Sequence, residues 1–170
     1  MQVNQEFLNC YLDSDKKPTY TEVSRTLNFS VSKVKDFYLQ NSDLLDNIQT
    51  LRLLHNSIKN RSGDSYKFDG FKDFYSWYNK TPKICCYCGV SEETLENVWN
   101  NHWRTKRGRG RKLEVERVDS TLNLYNSTNC KLACYFCNNH KSDLITQEHY
   151  DKYFSKQMKA YLEEISKIEK

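Results

Sequence analysis

The 170-residue chain is 38% hydrophobic and 28% charged, with twelve Tyr and eight Phe; side chains that large belong to sequences that bury a core, which excludes bulk disorder, and the length suits two small units. A net charge of +4 is too small to define a partner by its sum. Met1 to Lys17 lacks the basic and apolar regions of a secretion signal and no stretch approaches the ~18 apolar residues of a membrane span, so the sequence predicts a soluble, cytoplasmic protein with no membrane partner.

Residues 1–69 read as a helical amino-terminal region. Within 20–41, Val23, Leu27, Phe29, Val34 and Phe37 sit at the offsets of a helix, a tight turn and a second helix. The first helix is expected near Thr21 to Leu27, and Ser30 would N-cap a second beginning at Val31. Ser32, Lys33 and Lys35 then face outward at its start. The segment is therefore either a helix-turn-helix with Lys33 and Lys35 on DNA or a plain helical hairpin. From Ser42 to about Lys59, Leu44, Leu45, Ile48, Leu51, Leu54, His55 and Ile58 share one helical face, where His55 is a structural histidine rather than a ligand. Asn60 to Asp69, with Gly63, reads as a linker. Phe71 to Tyr78 should form a short aromatic helix packed beneath the second domain, residues 70–170.

The cysteine pattern dominates that second domain. Cys85 and Cys88 stand two residues apart, as do Cys134 and Cys137, and Gly89 follows the first pair where a metal knuckle needs left-handed backbone. Two matched C-x-x-C pairs can close a tetrahedral zinc site, which contributes about 10 kcal/mol or more to folding. The competing redox reading lacks the surrounding βαβ pattern. Cys10, Cys86 and Cys130 are read as buried thiols outside the site.

Trp99, His102 and Trp103 sit in a helix leading to a basic loop, Arg104 to Lys112, in which six of nine residues are Arg or Lys and none is acidic. Arg104, Lys106, Arg107, Arg109, Arg111 and Lys112, spaced by Gly108 and Gly110, suit a clamp on a DNA backbone, against the plainer reading of a solvated loop. Leu113 to Ser120 alternates as a half-buried strand, and Thr146 to Lys170 reads as one amphipathic helix opened by Thr146.

From about Ile84 to Thr146 the sequence resembles the HNH endonuclease superfamily in its zinc-knuckle form, most specifically over Asn129 to Lys141, NCKLACYFCNNHK. The resemblance implies an α+β fold: a zinc-stabilised ββα-metal, or treble-clef, domain with motif core 84–146. It implies a DNA endonuclease in which Zn2+ is structural and Mg2+ or Mn2+ serves the chemistry. On that resemblance Glu116 matches the acidic ligand, Asn129 the asparagine that holds the loop, Asn138 the ligand that opens the helix, and Lys141 a phosphate contact. Arg117 departs from the family, which usually has histidine there; a guanidinium is a poor general base and a good partner for a phosphate. Candidates for the base are His140, Asp119 and His102, or metal-ionised water alone. The implied partner is double-stranded DNA, cut by a possible homodimer in homing, restriction or phage defence. A non-catalytic zinc-dependent DNA-binding protein and an RNA nuclease are the alternatives.

Overall fold

The structure is a computed structural model that describes residues 5–101 and 109–168, and its packing divides the chain at Lys80 and Thr81 into two units.

In the first unit, helix α1 (Gln5–Leu12) precedes α2 (Tyr20–Leu27), α3 (Val31–Gln40) and the long α4 (Ser42–Ser62). A 3-10 turn (Gly63–Ser65) then leads to α5 (Gly70–Lys80). Local chemistry explains the α2–α3 boundaries. Thr19 and Glu22 form a reciprocal capping box, and Asn28 ends α2 with φ 53°, a left-handed position that asparagine tolerates. Ser30 then caps α3 by accepting from the Lys33 N–H at 3.2 Å. Phe7, Tyr11, Val23, Val34, Leu45 and Ile48 close the core between α1, α2, α3 and α4.

Two expectations about this unit need correction. The stretch 60–69 is not a linker: α4 continues to Ser62, and Tyr66 and Phe68 join an aromatic cluster with Phe74 and Trp77. The aromatic helix also belongs here rather than to residues 70–170, because Phe71 and Phe74 bury against His55 at ring distances of 5.6 and 5.5 Å. Aromatic area goes where a matching apolar face exists, and α4 supplies that face. Arg52 sits in the same core, its guanidinium donating to the Tyr11 and Ser14 carbonyls and lying 4.1 Å from the Phe71 ring centre.

In the second unit, an isolated bridge between Ile84 and Ser91 closes the first cysteine turn, and Ser91 caps α6 (Glu92–Asn101) by accepting from the Thr94 N–H. Strands β1 (Glu114–Arg117) and β2 (Cys130–Ala133) pair antiparallel, with Glu116 opposite Lys131 and Arg117 opposite Cys130. Helix α7 (Tyr135–Lys141) follows β2 directly and packs on β1. The expected single carboxy-terminal helix is two, α8 (Gln147–Tyr153) and α9 (Ser155–Ile165). The two meet at Phe154, which leaves helical geometry at φ −124° and ψ −31°, and the Ser155 hydroxyl donates to the Tyr150 carbonyl at 3.3 Å and to Asp151 Oδ1 at 3.1 Å across the break. Leu95, Val98, Leu132, Ala133, Tyr150 and Leu162 form the core between these elements. Cys130 is buried as expected, whereas Cys10 and Cys86 are only half-buried.

Candidate metal and catalytic site

The Cys85, Cys88, Cys134 and Cys137 sulfurs lie within 4.8 Å of one another, and all four residues are buried. Backbone geometry builds both halves. Gly89 adopts φ 76° and its N–H reaches the Cys85 carbonyl at 2.9 Å, which turns the first pair inward. The Cys86 N–H donates to the Leu132 carbonyl at 2.8 Å, fastening that turn to β2. Cys134 is the N-cap of α7, its sulfur accepting from the Cys137 N–H at 3.4 Å. Hydrogen bonds from Cys134, Cys137 and Cys88 push the Cys85 thiol down, toward thiolate. A closed, all-sulfur, buried set is the donor chemistry of structural Zn2+, and all four residues fit it.

The alternation of β1 puts Glu114 and Glu116 on the face that meets α7, and Arg117 on the other. Glu116 is buried. Its Oε1 accepts from the Lys141 ammonium at 3.4 Å and from the Tyr87 hydroxyl at 3.2 Å. Burial raises the Glu116 carboxyl above the usual carboxylate range, against the opposing pull of Lys141. Lys141 itself is fully buried, so its ammonium faces this carboxylate rather than solvent.

One turn earlier on α7, the Asn138 amide donates to Glu114 Oε2 at 2.9 Å. Its Oδ1 makes no hydrogen bond among the described residues. Arg109 forks onto both Glu114 oxygens at 3.0 and 2.8 Å and lies 4.8 Å from the Tyr135 ring centre. Glu114 is thus a site residue that sequence reasoning passed over, although its two-residue spacing from Glu116 was the signal. Tyr87, inside the first C-x-x-C, is another, and only the fold brings it to Glu116.

Arg117 donates to Asn123 and lies 5.0 Å from the Tyr125 ring centre, so the loop between the strands positions it. Buried Asn129 holds that loop. Its Oδ1 accepts from the Asp119 N–H, and its amide donates to the Asp119 and Leu124 carbonyls, all at 2.9–3.0 Å. Asp119 is exposed, and Thr121, donating from both its hydroxyl and its backbone N–H, holds the carboxyl below the usual range. Asp119 also borders a cleft of about 520 Å³ that Ser120, Thr121, Asp143 and Thr146 help to line. His140 turns elsewhere: its ring packs edge-on to Phe154 at 4.9 Å and Tyr150 at 5.7 Å.

Of the basic run, Arg104, Lys106, Arg107 and the base candidate His102 lie outside the described residues. Arg109 and Arg111 pair with Glu114 and Glu96, and Lys112 is exposed. Both arginine heads stay partly in solvent, where water screens the attraction, so a phosphate can compete with either carboxylate.

Fold and site together define an α+β protein whose small two-stranded sheet and following helix are organised around a four-cysteine, zinc-type cluster. No family model matches the sequence, and no curated protein does. Among solved structures, the chain is similar to the rare-cutting HNH restriction endonuclease PacI, the subject of a study of DNA perturbation. Identity is 26%, the TM-score is 0.53, and the match covers 64% of this chain and 76% of that one. Among the described residues no helix is long and apolar enough to cross a membrane.

Proposed function

We propose that the protein is a metal-dependent HNH-type endonuclease that hydrolyses phosphodiester bonds of double-stranded DNA, with the cysteine cluster as the structural zinc of a treble clef. The observation that carries this reading is the juxtaposition of an acidic strand, Glu114 and Glu116, with Asn138 and Lys141 on the helix that the second cysteine pair caps. The likeness to an HNH restriction endonuclease supports it. Carboxylate and amide oxygens suit a hard cation, and Glu116 or Glu114 with the Asn138 Oδ1 would hold Mg2+ or Mn2+. Such an ion, when bound, supplies Lewis acidity at the phosphate.

The chain's own residues have distinct tasks in this reading. Arg117 leaves β1 on the face opposite Glu116 and is held at Asn123, so in this reading it contacts the DNA backbone beside the reacting phosphate. Lys141 fixes Glu116 in place, and Asn129 fixes the loop that carries Asp119. Asp119, held low by Thr121, is a weak proton acceptor. His140 is the better base by type, and its ring must leave Phe154 to act. A nuclease of this kind works in the cytoplasm, where DNA is the substrate, and cutting both strands calls for a homodimer or two visits. Restriction, homing and phage defence are all compatible settings.

Arg117 in the place of a base also favours a second reading, a zinc-dependent protein that binds DNA without cutting it. Incubating the zinc-loaded chain with plasmid and Mg2+ or Mn2+ separates the two. Nicking that Asn138→Ala and Glu116→Ala abolish, and that His140→Ala or Asp119→Asn slows, supports the nuclease. Absence of nicking of DNA under every divalent metal rejects it, and an RNA substrate in parallel tests the backbone preference.

A further inference from the structure

The residues of the site described above belong to the second unit; the first displays a polar helix face for which its own packing has no use. Helices α2 and α3 meet through a three-residue turn, Asn28 to Ser30, fixed by the left-handed Asn28. The Phe29 N–H donates to the Ser24 carbonyl at 3.1 Å, and the Ser24 hydroxyl donates to the Phe29 carbonyl at 2.6 Å. Helix α3 packs on α2 and α4 through Val34, Phe37 and Tyr38. Its opposite face carries Ser32, Asp36 and Gln40, one helical turn apart, beside Lys35 and Leu39, and all five are exposed. Among the described residues, Ser32, Lys35, Asp36 and Gln40 have no side-chain hydrogen bond or ion pair.

Charge surrounds this row. The Lys33 ammonium is held 3.7 Å from the Phe29 ring centre at the turn, Lys35 lies on the other flank, and Arg25 is exposed at the end of α2. A helix face that docks on protein is apolar at its centre; here one leucine, Leu39, stands among three hydrogen-bonding side chains. A ten-residue helix is about 15 Å long and fits a major groove about 12 Å wide. Cations on both flanks suit the phosphates that border such a groove.

We infer that α3 is the sequence-reading helix of a helix-turn-helix, with Ser32, Asp36 and Gln40 facing base edges in the major groove of duplex DNA and Lys33 and Lys35 holding the flanking phosphates. Target choice then resides in the first unit. The inference rests on the proposed duplex DNA partner but not on cleavage. Asp36 selects a base that donates, such as the cytosine amino group, and a Ser32 hydroxyl is tolerant of either role.

The test uses the full-length zinc-loaded chain, without added Mg2+ or Mn2+, to select bound duplexes from a random-core library. The wild type should enrich a shared base pattern. Asp36→Asn should change the preferred base at one position by about tenfold, away from cytosine and toward adenine, because an amide both donates and accepts. Lys33→Ala and Lys35→Ala should each weaken binding to all sequences and lower the slope of log affinity against log salt by about one, leaving the pattern intact. The inference is overturned if the wild type enriches no pattern, or if the pattern ignores both Asp36→Asn and Ser32→Ala. These positions are exposed, so unchanged thermal midpoints verify folding. A chain that selects sequence but never cuts sinks the nuclease reading alone, and one that cuts with a pattern indifferent to α3 sinks this inference alone.

Discussion

Replacing Lys141 by Met probes the polar centre of the second unit, because it strands Glu116 without changing the helix. The lysine side chain is 1% exposed and the glutamate 10%, with 3.4 Å between Nζ and Oε1. At an effective dielectric of about 20 the attraction across that gap is about 5 kcal/mol. Measured losses on removing one member of a buried pair run to about 3–5 kcal/mol. Tyr87 keeps its hydrogen bond to the carboxylate, which places the expected loss for Lys141→Met near the lower end, about 3 kcal/mol. Adding Glu116→Gln removes the stranded charge and leaves Tyr87 an acceptor, so the double variant should recover about 2 kcal/mol of that loss.

The pH dependence follows from the raised Glu116 carboxyl. A group whose folded pKa is raised contributes stability that is present below its unfolded value, about 4.3, and lost as pH rises through the folded value. Without Lys141 the rise is larger, since its opposing pull is gone. The penalty of Lys141→Met should therefore be greatest at neutral pH and shrink on acidification toward about pH 4.3. Urea unfolding at fixed free zinc, followed by circular dichroism at several pH values, measures it. A penalty below about 1 kcal/mol, or one that grows with acid, refutes the reasoning.

Other perturbations test the remaining supports. Metal analysis should find one zinc per chain, and Cys88→Ser or a strong chelator should remove it and unfold the second unit, a loss of about 10 kcal/mol or more. Asn129→Ala deletes three part-buried hydrogen bonds made by a buried side chain, so the second unit should lose about 2–4 kcal/mol, and proteolysis should increase between Asp119 and Asn129. His55 should set an acid limit on the first unit. Burial, among Tyr66, Phe71 and Phe74, lowers its pKa, so the unfolded chain takes up the proton first. The stability it contributes is present above about pH 6.5 and lost as pH falls toward the folded value. Thermal midpoints between pH 7.5 and 5 should show that loss in the wild type and less of it in His55→Leu.

The features legible in the chain by itself were those that depend on near neighbours. The spacing within each cysteine pair and the Asn28 to Ser30 turn with its Ser30 cap each constrain a few consecutive residues, and the structure has both; of the strand expected over Leu113 to Ser120 it has Glu114–Arg117, with Glu116 buried beside Val115. Tertiary structure decided where long-range partners fall. The aromatic helix near Phe71 docks on α4, a mate that a periodic apolar face does not name. Lys141 looked like a solvent-facing phosphate contact, yet it is buried on Glu116, and Tyr87 arrives from 29 residues away to share the same oxygen. His140 packs on Phe154, the residue at which the carboxy-terminal helix breaks although local periodicity predicts continuity. Metal-ligand spacing is written in local backbone geometry, whereas the partner of a buried charge is set by which distant surfaces the apolar core brings together.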